Sequence, residues 1–207
     1  MKKLLAVMLA CLAIIAFSNK DSYASTLDQS TDSSESDFKT GMAYFDSKNY
    51  TAALTLLTKA ANKGYAPAQY NLGFLFAAAQ DYSTAVYWYQ KAADQGNAIG
   101  QNRLGIMYYS GLGVTQDYSK ALHWYQKSAD QGNADAQFML GVMYYNGQGV
   151  AKSASKAVYW YQKSADQGDA NAQNTLGAMY YNGYQGVDPD YSKALHWYQK
   201  SADQGNA

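Results

Sequence analysis

Residues 134–168 read ADAQFMLGVMYYNGQGVAKSASKAVYWYQKSADQG, and nearly the same string returns at 98–132 and, one residue longer, at 170–205. Leu-Gly recurs at 72–73, 104–105, 140–141 and 176–177, Trp-Tyr at 88–89, 124–125, 160–161 and 197–198, and Ala-Asp-Gln-Gly at 93–96, 129–132, 165–168 and 202–205. A weaker first copy holds Gly41, Ala53 and Lys59 to Gly64. Self-similarity at this period is the signature of a repeat architecture. From the central Ala of one unit (53, 85, 121, 157) to the central Gly of the next is always 20 residues. From that Gly to the Ala of its own unit the spacing is 12, 12, 16, 16 and 17 residues, so a loop of variable length lies there.

Each side of the loop reads as a helix. Over Ala134 to Asn146 the residues Ala136, Met139, Leu140, Met143 and Tyr144 form an i, i+3, i+4, i+7 stripe, and Gly147 can take the left-handed position that stops it. Asp117 is an N-cap for a second helix, whose inner stripe is Tyr118, Ala121, Leu122, Tyr125, Ser128 and Ala129, with Gly132 at its end. One such pair cannot bury its own apolar faces. The expectation is an all-α fold, an α-solenoid of about five stacked antiparallel helix pairs. A central Gly inside a helix costs about 1 kcal/mol relative to Ala. Its recurrence predicts that each first helix closely approaches its own second helix, across from Ala53, Ala85, Ala121, Ala157 or Ala194.

The rest of the chain sets the address. Lys2 and Lys3, the apolar run Leu4 to Phe17 and the small residues of Ser22-Tyr23-Ala24 read as a secretory signal peptide over 1–24. A lipoprotein signal ending at Cys11 is the alternative, disfavoured because the apolar run continues past the cysteine. Residues 25–36 read as a flexible polar leader. Loss of Lys2, Lys3, Lys20 and Asp21 leaves a net charge of −2, and loss of the single cysteine removes any disulfide or thiolate chemistry. Near-neutral charge and a single arginine argue against nucleic acid as partner. The expected location is periplasmic or secreted, without membrane insertion after cleavage.

The unit A-x-A-Q-x-x-L-G-x-M-Y-Y-x-G-x-G-V-x-x-D-Y-x-K-A-x-x-W-Y-x-K-S-A-D-Q-G resembles the Sel-1-like repeat, the bacterial relative of the tetratricopeptide repeat. Residues 98–207 carry three such units, whereas 37–97 carry two with the shorter loop and look more like plain tetratricopeptide units. The resemblance implies that the first helices line a concave face that binds a protein or peptide. Counted along that pattern, Tyr70, Asn102, Tyr109, Phe138, Tyr145, Asn174 and Tyr181 fall on this face, and Phe38 and Phe74 continue the strip. Tyr and Asn supply rigid contact area and adaptable hydrogen bonds.

The repeat register also accounts for the other patterns in the chain. Ser153-x-x-Lys156 and Lys39-Thr40-Gly41 invite a penicillin-recognising reading, and some secreted members of the resembled family are linked to β-lactam binding. The elements stand in the wrong order, a Ser-Asp-Asn element is missing, and Ser153 occupies the N-cap place of Asp117 and Asp190. His123 and His196 exchange with Tyr87 and Tyr159 in other units, so they read as surface residues and not as ligands. The four Trp read as packing between adjacent repeats. The expectation is a non-enzymatic scaffold without cofactor or metal. The alternatives are an envelope enzyme (a β-lactam or cell-wall hydrolase) and a secreted host-interaction factor using the same binding mode. No polar capping helix follows the fifth pair in this sequence, so the surface around Tyr191, Leu195 and Tyr198 is expected to be exposed and prone to self-association.

Overall fold

The computed structural model describes residues 33–184 and 186–205. Among the described residues ten helices follow one another: α1 (Ser33–Asp46), α2 (Tyr50–Asn62), α3 (Ala66–Ala78), α4 (Tyr82–Asp94), α5 (Ala98–Ser110), α6 (Tyr118–Asp130), α7 (Ala134–Asn146), α8 (Ala154–Asp166), α9 (Ala170–Asn182) and α10 (Tyr191–Ala202). Among the described residues the only extended pairing is one bridge between Tyr184 and Val187. The odd-numbered helices are the A helices of five pairs and the even-numbered ones the B helices. The signal sequence expected over 1–24 lies outside the described residues. Of the leader expected over 25–36, residues 25–32 lie outside the described residues and 33–36 are helical. Helix α1 begins inside it, at Ser33, where Lys63 Nζ donates to Ser33 Oγ (2.9 Å) and Glu35 pairs with Lys39 (2.7 Å).

Capping follows the sequence signals. Asn49, Asp81, Asp117, Asn133, Ser153, Asp169 and Asp190 each accept a backbone N–H three residues on. Two compact units share the chain. The first runs through Gly100 and includes Leu112–Val114; the second holds Gln101–Gly111 and continues from Thr115. In the first, Phe38, Phe45, Leu57, Leu72, Leu75 and Trp88 form the core. In the second, one cluster joins Ala121, Tyr125, Leu140, Met143 and Trp160, and another joins Tyr161, Leu176, Met179 and Trp197. Trp88, Trp160 and Trp197 thus pack between neighbouring pairs, as their register implied, while His123 and His196 are exposed.

The central glycines sit where their own B helix comes closest. The contact is one turn beyond the alanines expected from spacing. A Cβ on Gly73, Gly141 or Gly177 would stand 2.5 to 2.7 Å from the ring of Tyr89, Tyr161 or Tyr198, and one on Gly105 would meet Tyr125 at 2.7 Å. In the first pair the neighbours are Leu56 and Leu57, and a Cβ on Gly41 would stand 3.3 Å from them, tight but without the overlap met at the other glycines. A flat ring fills the notch that the missing side chain leaves, which outweighs the propensity cost of glycine.

Between pairs the connection is polar. The Nε2 amides of Gln69, Gln137 and Gln173 donate to the carbonyls of Ala61, Ala129 and Ala165 near the end of the preceding B helix, at 3.0, 3.2 and 3.1 Å. The Oε1 atoms of Gln69, Gln137 and Gln173 accept from Gln95, Gln167 and Gln204 of their own pair at 2.6 to 2.8 Å, and Gln131 donates likewise to Gln101 at 2.7 Å. In the first pair the same two places hold Asp37 and Lys63, joined at 2.8 Å, with Lys59 on the other carboxylate oxygen at 2.9 Å. A carboxylate is acceptor-only, so at this place the glutamine's donor is given up and the acceptor alone is kept. The longer loops add a third tie: Gly149, at φ 69°, lies so close to the start of α6 that a Cβ would approach the Tyr118 backbone at 2.6 Å. Gly113 sits in the same way on Tyr82. Gly186 of the one-residue-longer loop has open space around it.

Three outcomes test these ties. Gly141→Ala should destabilise by roughly 1–3 kcal/mol through overpacking, whereas Gly41→Ala should lie near neutral; equal urea midpoints for the two would refute the ring notch. Gln137→Ala should cost roughly 1–3 kcal/mol by stranding the Ala129 carbonyl, with faster amide exchange where α6 meets α7. The hydrogen bonds from Lys63 and then Lys59 hold the Asp37 pKa below its ordinary 3.8. Its contribution is therefore present above that value and lost as pH falls through the depressed pKa. An Asp37→Asn variant should lose less stability than the wild type on acidification.

Candidate functional site

The A helices repeat two side-chain rows, seven residues apart and therefore on one side of each helix. The first row is Tyr70, Asn102, Phe138 and Asn174; the second includes Tyr109, Tyr145 and Tyr181. In the first unit Tyr70 is half-buried and stacks on Tyr89, with centroids 6.3 Å apart. Phe74 is half-buried as well, but Phe38 is buried, tilted against Tyr65 at 5.2 Å, and so does not continue an accessible strip.

In the second unit Phe138 is half-buried against Tyr161 at 5.5 Å, and Asn174 is exposed. Asn102 departs from the expectation of an accessible amide. It is 1% exposed, and its Oδ1 has no hydrogen-bond partner.

The second row meets the loops of the following pairs. The Tyr109 ring sets its edge on Tyr118 at 5.3 Å, and its hydroxyl donates to Gln148 Oε1 at 3.0 Å. Tyr145 meets Tyr184 edge-on at 5.4 Å, and Lys152 Nζ lies 5.4 Å above its ring. Tyr184 hydrogen-bonds to Tyr145, which raises the Tyr184 pKa. Tyr181 leans on Tyr191 at 5.5 Å and is 56% exposed. Of the second-unit residues singled out from sequence, Tyr109, Phe138, Tyr145, Asn174 and Tyr181 therefore remain at least partly open. Gln148 and Tyr184 were missed, because a variable loop carries no periodicity that aims its side chains.

Beneath the rows lie the B-helix tyrosines. Burial pushes the pKa of Tyr125 far up, with the Tyr109 hydroxyl acting in the same sense and the Arg103 cation opposing it. Burial does the same to Tyr161, helped by Tyr145 and Tyr109. Among the described residues no group of three His, Cys, Asp or Glu could hold a metal ion. No helix among them is long and apolar enough to cross a membrane. Ser153 acts as a helix cap, its Oγ accepting from Lys156 N (3.4 Å) and lying 3.2 Å from Ser155 Oγ.

Stacked helix pairs of near-constant length, tied by one glycine notch and one glutamine relay, define an α-solenoid repeat protein. The Sel1 repeat matches residues 34–65, 66–97, 98–133, 134–169 and 170–206, and the chain belongs to the Sel1 repeat family. The two short-loop pairs are matched together with the three long-loop ones. A crystal structure of a protective antigen present in uropathogenic Escherichia coli strains, displaying an SLR fold, is 34% identical with a TM-score of 0.81. That alignment covers 96% of this chain and 41% of the antigen, so the chain spans less than half of that relative's length. A Sel1 repeat protein from Oxalobacter formigenes is 29% identical with a TM-score of 0.75, over 98% of this chain and 85% of the other. No curated protein matches the chain.

The buried phenols set an alkaline limit. Tyr125 and Tyr161 keep their protons in the folded state above the pH at which free tyrosine ionises. Their contribution to stability is therefore complete below about pH 10 and falls as pH rises through the raised values. Tyr161→Phe should flatten the alkaline loss of stability, read as urea midpoint against pH.

Proposed function

We propose that this Sel1-repeat solenoid is an exported, non-enzymatic scaffold that holds a protein or peptide along the faces of its A helices. The observation that carries the reading is the row Tyr109, Tyr145 and Tyr181 with Phe138 and Asn174, uncharged and partly open at equivalent places of α5, α7 and α9. Tyrosines already held by ring and loop contacts lose little freedom on binding, so their contact area converts well into affinity. Export is supported by the signal-like residues 1–24, and an antigen among the similar solved structures fits an exposed location. A scaffold is favoured over a serine hydrolase because Ser153 is engaged as a cap and Lys39 is paired with Glu35. Self-association belongs to the same proposal: Tyr191 and Leu195 of α10 are 67% and 69% exposed, whereas Tyr118 and Leu122 at the same places of α6 pack against a core cluster.

The test is capture from an envelope extract, followed by affinity measurement on the captured partner. Tyr145→Ala should lose roughly 1–3 kcal/mol of binding, while Tyr159→Ala, an exposed ring on α8, should leave binding unchanged. Affinity should fall only slightly from low to physiological salt, because few counterions are released. A steep salt dependence with an unaffected Tyr145→Ala variant would refute the helix-face reading, and nitrocefin turnover above buffer would favour the enzyme instead.

A further inference from the structure

The three longer loops do not all meet the preceding B helix in the same way. In the first unit Gly113 lies on the start of α4, where a Cβ would collide with the backbone of Tyr82 and Ser83. In the second unit Gly149 lies on the start of α6, where a Cβ would stand 2.6 Å from the Tyr118 carbonyl and 3.0 Å from the Ser119 nitrogen. Gly186 holds the same place in the fifth pair and has nothing within 4 Å. The run Gly183-Tyr184-Gln185-Gly186 is one residue longer than Gly147-Gln148-Gly149. Tyr184 and Val187 exchange backbone hydrogen bonds at 2.8 and 2.7 Å, so this loop closes on itself instead of on α8.

The vacated seat is an open cleft of about 370 Å³. Ser155 and Val158 of α8, Tyr180 of α9, and Val187, Asp188 and Lys193 line it. Ser155 stands at the place of Ser83 and Ser119, whose backbone the loop glycine covers in the earlier pairs. The same loop brings a new charge. Asp188 takes the place of Thr115 and Ala151, is exposed, and has no ion pair among the described residues. Asp190, which also lines the cleft, caps α10 and pairs with Lys193 at 3.2 Å, and Lys193 Nζ lies 5.2 Å over the Tyr180 ring. Lys152 and Lys156, to either side of Ser155, lie over Tyr145 and Tyr144 and do not line the cleft. The one cation of the lining is therefore already engaged, and Asp188 is the charge left for a ligand.

We propose that this cleft seats one basic side chain, a lysine or an arginine, of the protein or peptide that the solenoid holds. The inference rests on the scaffold reading above and adds a charged contact to it. The ammonium or guanidinium donates to the Asp188 carboxylate, and the Ser155 hydroxyl is a second acceptor. The methylenes of the same side chain lie on Val158 and Val187. A single free carboxylate is too few ligands for a metal ion. The volume falls within the range of pockets that enclose small ligands.

The probes are short acetylated and amidated peptides that differ at one residue: arginine, lysine, citrulline or glutamate. The readout is the amide spectrum of the 15N-labelled chain. Saturable shifts of Ser155, Val158 and Asp188 are expected with the arginine or lysine peptide, with Kd around the millimolar range for an isolated contact. The citrulline and glutamate peptides should give none, and the tighter of the two cationic peptides tells guanidinium from ammonium. Asp188→Asn should leave Tm unchanged and weaken binding about threefold or more, the worth of one exposed charge pair. Lys193→Gln removes the resident cation, frees Asp190 and should tighten binding. Absence of a saturable shift, an equal shift with citrulline, unchanged affinity in Asp188→Asn, or weakened affinity in Lys193→Gln each overturns the proposal. If the arginine peptide moves Tyr145 but not Ser155 and Asp188, the cleft fails while the helix-face reading stands. If the cleft responds while Tyr145→Ala leaves the affinity of the captured partner unchanged, the helix-face reading fails and the cleft stands.

Discussion

The architecture depends on one close approach: the B-helix tyrosine laid flat against the A-helix glycine of the same pair. At 2.5 to 2.7 Å from where a Cβ would stand, the rings of Tyr89, Tyr161 and Tyr198 leave no room for any side chain. The notch sets the separation of the two helices and thereby where every other side chain of the pair lies. It also explains why the loop can vary in length. Pairs with short and long loops share the same contact, because the contact is made by the helices and the loop only has to close. Leu57 in the first pair meets Gly41 with more space, and this is the pair in which a larger residue is predicted to be tolerated.

Stacking is directional for a different reason. Glutamine has both a donor and an acceptor, and here the donor reaches back to the preceding B helix while the acceptor serves its own pair. In the first pair Asp37 and Lys63 replace the two glutamines, so the tie within the pair is kept as an ion pair and the backward donor is absent from Asp37. The loop glycines add a steric lock, Gly113 on Tyr82 and Gly149 on Tyr118, each needing both a positive φ and the absence of a side chain. Apolar burial supplies most of the stability of such a stack. These polar and steric ties select which neighbour, and which register, the apolar faces adopt.

The proposed binding face is built from what the repeats do not share. The positions that close the notch and the relay are nearly invariant from pair to pair, whereas Tyr70, Asn102, Phe138 and Asn174, at one equivalent place of successive A helices, diverge. A surface of this kind changes its recognition without touching the scaffold.

The repeat period, the helix boundaries, the caps at Asp117 and Ser153 and the all-α stack were legible in the sequence, because each is a local or periodic property. Helical stripes, N-cap side chains and glycine stops act over a few residues, and their recurrence removes the ambiguity that a single copy would leave. The Leu-Gly motif was legible as a close approach, but its partner was not. Which turn of the B helix meets the glycine is set by the crossing of two packed helices, and spacing alone pointed one turn short. The roles of Gln137 and Gln148 were likewise hidden, since a glutamine recurring at a fixed place looks the same whether it faces solvent or a carbonyl of the next pair. Exposure at the candidate site was decided by depth. Sequence placed Asn102, Phe138 and Asn174 in one row, and only the tertiary structure showed that Asn102 is buried while Asn174 stays open. Periodicity determines which side of a helix a residue occupies; how far that side stands from water is determined by the neighbours that pack beside it.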